Sequence, residues 1–105
     1  MTFDDYQGQT HKTNLYPEDK MLDCLALGLC SEAGEVADKV KKFYRGDMDS
    51  GLRLLLIAEI SDCLWYLSEL ANYLNYPLGN IADYNLHKLQ KRAERGMIRG
   101  SGDER

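Results

Sequence analysis

The chain has 105 residues, with 13 lysines and arginines against 17 aspartates and glutamates and a formal net charge of −4; that length is one domain, able to bury about 60–70% of its unfolded surface. No concentrated basic stripe is present, which excludes duplex nucleic acid as a partner. The most apolar run, Leu54 to Ala58, meets acids at Glu59, Asp62 and Glu69, which excludes a membrane span.

Only two prolines occur, and both punctuate. Thr2 with Asp5 forms a capping-box pattern that predicts a first helix over residues 3 to 13, with little apolar content beyond Phe3 and Tyr6. Pro17, favoured in a first turn, opens a second helix that runs to Phe43 or Tyr44, with Leu22, Leu25, Ala26, Leu29, Ala33, Val36, Val40 and Phe43 at helical spacing. RGDMDS reads as a loop, with Asp49 or Ser50 as the next cap. A third helix is expected from Gly51 to Leu74, ended by Asn75 in a left-handed conformation and by Pro77. A fourth spans Leu78 to Glu94, carrying Ile81, Tyr84, Leu86 and Leu89, and the glycine-rich tail over residues 96–105 is expected to be irregular. No repeat or convincing strand is found, so the expectation is one all-α domain over residues 1–105.

The acids carry the chemistry. Glu32 and Glu35 on the second helix, and Glu59 and Asp62 on the third, are each spaced i, i+3, which puts each pair on one helix face. At about 100° per residue Glu32 falls inside the apolar arc of its helix, and Glu35 at the edge of that arc beside Lys39 and Lys42. The third helix is apolar all round, so its acids are expected to be buried. Buried carboxylates are costly unless a cation satisfies them. Arg53, Lys39 or Arg92 could supply that charge; a set of four hard oxygen ligands fits Mg²⁺, with Mn²⁺ as a substitute, better than zinc or copper. Neither His11 nor His87 follows an acid by three residues, so a di-iron site is not indicated, and both histidines read as surface or structural. Glu69 lies near Asp62 two turns on and reads as paired or exposed.

In this helical setting Glu-x-x-Glu followed by Glu-x-x-Asp, with the strings LGLCSEAGEVADKVKK, AEISDCLWYL, NLHKLQKR and RGMIRGSGDER, resembles the MazG-like nucleoside triphosphate pyrophosphohydrolases of the all-α NTP pyrophosphatase superfamily. One position departs: the family pattern often begins Glu-Glu-x-x-Glu, and here Ser31 stands first, with Asp38 one turn past Glu35 as a possible substitute. The resemblance implies a four-helix MazG-like bundle completed by oligomerisation into a homodimer or homotetramer. It implies cleavage of a nucleoside or deoxynucleoside triphosphate to the monophosphate and pyrophosphate, with Glu32, Glu35, Glu59 and Asp62 as catalytic and metal-holding residues and a metal-activated water as nucleophile. It places phosphate or sugar contacts at Asn85, Lys88 and Arg92, which share a face of the fourth helix at i, i+3, i+7, while Lys39 and Lys42 edge the acid face and either reach phosphate, Lys39 being counted with the substrate-binding residues, or are solvated.

Three further features are weighed. Gly100 to Asp103, with Arg105, presents either backbone amides to an anion or an irregular terminus. Trp65, Tyr66 and Tyr73 either stack on a base or belong to the core. Cys24, Cys30 and Cys63 form no Cys-x-x-Cys pair and read as reduced thiols, and the polar opening MTFDDYQGQ does not read as a signal peptide. A cytoplasmic protein is therefore expected, in the host cytoplasm if it is phage-encoded. The competing functions are a non-catalytic metal-binding helical interaction module and a different metal-dependent phosphohydrolase.

Overall fold

The computed structural model describes residues 1–48, 51–100 and 102. Four α-helices carry the chain, and no strand occurs among the described residues: α1 Phe3–His11, α2 Met21–Arg45, α3 Leu52–Tyr73 and α4 Leu78–Glu94. The all-α expectation therefore stands, with boundaries that local chemistry explains.

The Thr2 hydroxyl accepts from the Asp5 N–H at 3.0 Å, and the Asp5 carboxylate accepts from the Thr2 N–H at 3.1 Å, closing the capping box. α1 stops two residues short of the expected end because polar side chains take over the turn: the Thr13 hydroxyl donates to the Thr10 carbonyl, and Asn14 Oδ1 accepts from the Tyr16 N–H. Pro17 does not open α2. It precedes a single 3₁₀ turn, Glu18–Lys20, and α2 proper begins at Met21. At the other end Gly46, with φ +87°, takes the left-handed position beyond α2. Its N–H and that of Asp47 return to the carbonyls of Phe43 and Lys42. The caps expected at Asp49 or Ser50 lie outside the described residues, as do Ser101, Asp103 and Arg105 of the tail; Gly51, at φ +82°, leads directly into α3.

α2 and α3 form a long helical hairpin, and α1 lies across α3 and reaches α4. The turn between α3 and α4 is held from α1. Asn75 is left-handed at φ +53°, as expected. Pro77 offers α4 no side-chain cap, so the Leu78 N–H donates to Gln7 Oε1 at 2.7 Å and the Gly79 N–H to Asp4 Oδ1 at 2.9 Å. Gln7 Nε2 donates to the Tyr76 carbonyl at 2.9 Å. The buried apolar residues are few: Leu25, Ala71 and Leu78.

Candidate active site

The hairpin sets the acids of α2 against those of α3. Glu32, Glu59 and Asp62 each bring one carboxylate oxygen within 4.8 Å of the other two. Burial first, then the charge of Asp62, a hydrogen bond shared with Glu59, and the charges of Glu59 and Glu35 push the Glu32 carboxyl above its usual range. The Cys63 thiol is pushed up by burial and then by the same three acids. All three cysteines are free thiols. The donor set is oxygen only, and it holds more negative charge than its surroundings neutralise, which suits a hard divalent cation.

Glu35, the fourth acid of the sequence pattern, does not join that group. Its carboxylate accepts from Lys39 Nζ at 2.9 Å, and the same ammonium lies 3.5 Å from Glu59 Oε1 and 4.0 Å from Asp38 Oδ2. Lys39 is thus a counter-charge between the two helices, its protonated form favoured first by the Glu35 hydrogen bond. Asp38 belongs to the lysines: it lies 2.8 Å from Lys42 and 3.6 Å from Lys41, and the Lys42 hydrogen bond holds its carboxyl below the usual range.

The α4 residues sit elsewhere. Asn85 lines an apolar groove with Leu64, Leu67 and Ile81. The Lys88 ammonium lies 5.1 Å above the Tyr84 ring, and Arg92 is buried, with 5% of its surface exposed. His11 and Glu69 meet at 3.2 Å, so His11 has the structural role expected of it.

Sequence reasoning placed the aromatics only loosely. Tyr66, one turn past Asp62 on α3, meets the Tyr16 hydroxyl at 2.7 Å. That bond first, then burial, the neighbouring Tyr16 and the charges of Glu32 and Asp62, push its phenol up to about 12. Trp65 packs edge-on against Tyr66 at 4.9 Å and donates its indole N–H to the Thr13 hydroxyl. The i, i+4 relation of Asp62 and Tyr66 was the signal that could have joined Tyr66 to the acids; Tyr16, from the segment before α2, left none.

The family model of the MazG nucleotide pyrophosphohydrolase domain matches residues 21–97. The chain belongs to the MazG family. The MazG segment takes in α2, α3 and α4, and with them Glu32, Glu35, Lys39, Glu59, Asp62, Asn85, Lys88 and Arg92; α1 and the Tyr16 segment precede it. A relative of this MazG chain, the "Gene 37 protein" of Mycobacterium phage L5, is 41% identical over 114 residues, covering all of both chains. No solved structure matches it. No helix among the described residues is long and apolar enough to cross a membrane.

Proposed function

We propose that this MazG chain hydrolyses a nucleoside or deoxynucleoside triphosphate between the α and β phosphorus atoms, in the presence of Mg²⁺, to the monophosphate and pyrophosphate. The observation that carries the reading is the meeting of Glu32 with Glu59 and Asp62 across the hairpin, inside the MazG match. These three carboxylates would hold the cation, and Mn²⁺ has the same oxygen preference. A divalent cation there supplies charge neutralisation to the polyphosphate and a water of lowered pKa.

The chain's own residues do the rest. Glu35 stands outside the three acids, one turn from Glu32, and takes the proton of the attacking water once Lys39 turns from it toward phosphate. Water adds its oxygen to the α-phosphorus, the bridging P–O bond breaks, and pyrophosphate leaves with the bond's electron pair. Asn85, Lys88 and Arg92 are the candidate phosphate and sugar contacts on α4. None of these α4 residues belongs to the acid group of one chain, and a homodimer or homotetramer is proposed as the unit that works.

The test is product analysis of a panel of canonical and modified triphosphates with Mg²⁺ or Mn²⁺. Monophosphate and pyrophosphate are expected; diphosphate and phosphate would indicate a different phosphohydrolase. Glu59→Ala and Asp62→Ala should each lower turnover at least about a hundredfold, since even outer-shell partners of a metal cost 10–100-fold, while helical circular dichroism is kept. If no triphosphate is consumed, the Lys39 bridge between Glu35 and Glu59 becomes the purpose of the cluster, and a helical interaction module is the better reading.

A further inference from the structure

Glu69 is fully buried, with only 1% of its residue surface exposed, and it takes no part in the chemistry proposed above. A carboxylate in that position loses several kcal/mol unless its acceptor sites are filled. Here they are filled by a complete ring of donors. Oε2 accepts from the Thr10 hydroxyl at 2.7 Å and from Asn72 Nδ2 at 2.6 Å; Oε1 accepts from Asn14 Nδ2 at 2.8 Å and faces His11 Nδ1 at 3.2 Å. Burial pushes the carboxyl up, but these bonds outweigh it and hold the group below its usual range. Three of the four donors come from residues before the MazG match, so the ring ties the chain's own N-terminal segment to the family's helices.

The ring leads to the acids. Asn14, whose amide nitrogen is fixed by Glu69, accepts the Tyr16 N–H with its Oδ1 at 3.0 Å. Tyr16 in turn places its hydroxyl 2.7 Å from that of Tyr66. Asp62, Tyr66 and Glu69 stand at i, i+4 and i+7 on one face of α3. Tyr66 has no room to withdraw on its other side, where it lies against Gly28 of α2.

We infer that Glu69 is a positioning residue: through Asn14 it fixes Tyr16 against Tyr66, and so sets the aromatic wall of the site beside Asp62. The kinetic part of this inference rests on the reading given under Proposed function; the geometric part does not. On that reading the wall, one turn from Asp62, would border the part of the substrate next to the phosphates, so loosening it weakens binding more than chemistry.

The chain's one tryptophan reports on this wall. Trp65 stands 6.4 Å from the Tyr16 ring as well as against Tyr66. Glu69→Gln keeps the shape but turns two acceptor sites into donors that face donors, so one edge of the ring must open. It should shift Trp65 emission and raise KM about tenfold with kcat nearly unchanged, the pattern of lost uniform binding. Asn14→Ala, which leaves the carboxylate intact, should do the same and decides the matter if Glu69→Gln fails to fold. In a cycle with Tyr16→Phe the KM effects should not add, because the residues act as one chain. Folded variants with unchanged Trp65 emission and KM, or effects that add fully, would overturn the inference. If the wild-type chain hydrolyses nothing, the functional reading falls, and the Trp65 comparison alone still decides whether Glu69 holds the wall.

Discussion

Glu32 bears the electrostatic cost of bringing three carboxylates together. Its raised proton affinity means that the folded chain binds this proton more tightly than the unfolded one. Stability from Glu32 is therefore present at low pH and lost as pH rises from the usual carboxylate range through its raised value. Glu69 works in the opposite direction: its lowered value gives stability above the usual range that is lost as pH falls through the folded value. Melting temperatures followed from about pH 4 to about pH 8, around the ordinary carboxylate values, should fall toward high pH without added metal. With Mg²⁺ that fall should disappear, since the cation takes the proton's place, and Mg²⁺ affinity should weaken on acidification. At a hundredfold excess over its dissociation constant the gain is about 2.7 kcal/mol. Glu32→Gln should raise the metal-free melting temperature and abolish most of the Mg²⁺ response; an unchanged response would remove Glu32 from the site. The convergence of Glu32, Glu59 and Asp62 was legible in the sequence because i, i+3 spacing needs no tertiary knowledge, but their expected burial was not met: Glu32 and Glu59 are half-buried and Asp62 is exposed in the single chain. The place of Glu35 was not legible. Whether an acid at the edge of an apolar arc turns to a metal group or to the lysine one turn on depends on the reach of Lys39, which spacing alone does not give.

Elements meet closely where a side chain is missing. Gly28 of α2 lies under the Tyr66 ring, and a methyl group there would overlap it. Tyr66 cannot simply rotate away, because Tyr16 and Trp65 hold it. Gly28→Ala should therefore destabilise by about 1–2 kcal/mol, overpacking outweighing the gain in helix propensity of about 1 kcal/mol. In a Tyr66→Ala background the overlap is gone, and the same substitution should stabilise. Denaturant unfolding of the four chains checks this, and a Gly28→Ala effect of the same sign in both backgrounds would show that the ring is not the obstacle. Helix existence was legible throughout, since Pro17, Asn75, Pro77 and the Thr2–Asp5 pattern are local signals. The caps on α4 were not: Asp4 and Gln7 reach them across some seventy residues of chain, and nothing local marks a glutamine as the partner of a distant turn. Glu69 was misjudged for the same reason. A lone acid two turns past Asp62 looks like a paired or exposed charge until Thr10, Asn14 and Asn72 close around it.

The single chain leaves much of its apolar surface uncovered. Its radius of gyration is 16.5 Å, where about 13 Å is usual for a compact chain of this length. Its accessible surface is 7769 Å², about 1,800 Å² more than a compact monomer of its 12.0 kDa mass presents. An excess of that size is what one partner contributes to an obligate interface, about 1,000–2,500 Å² per chain. Among the exposed apolar residues of α3, three share a face. Ile57, Ile60 and Leu67 are all exposed, Ile60 at 59%. At about 100° per residue they fall on the side of α3 opposite Glu59, Asp62, Tyr66 and Glu69. One face of α3 builds the site against α2 and the Tyr16 segment, and the opposite face is the one a second copy would cover under the proposed pairing, which would account for a helix that is apolar all round. Isologous pairing through this stripe predicts a species of about 24 kDa, or about 48 kDa if dimers pair again, in sedimentation experiments. Ile60→Glu puts a charge at the centre of the stripe and away from the acids. It should yield the 12.0 kDa chain with a lower, less cooperative melt, and the wild-type melting temperature should rise with protein concentration, as mass action requires of a folded state that needs its partner. A wild-type chain that sediments at 12.0 kDa, melts cooperatively and does so independently of concentration would refute the pairing, because the exposed leucines and isoleucines would then be tolerated by a stable monomer.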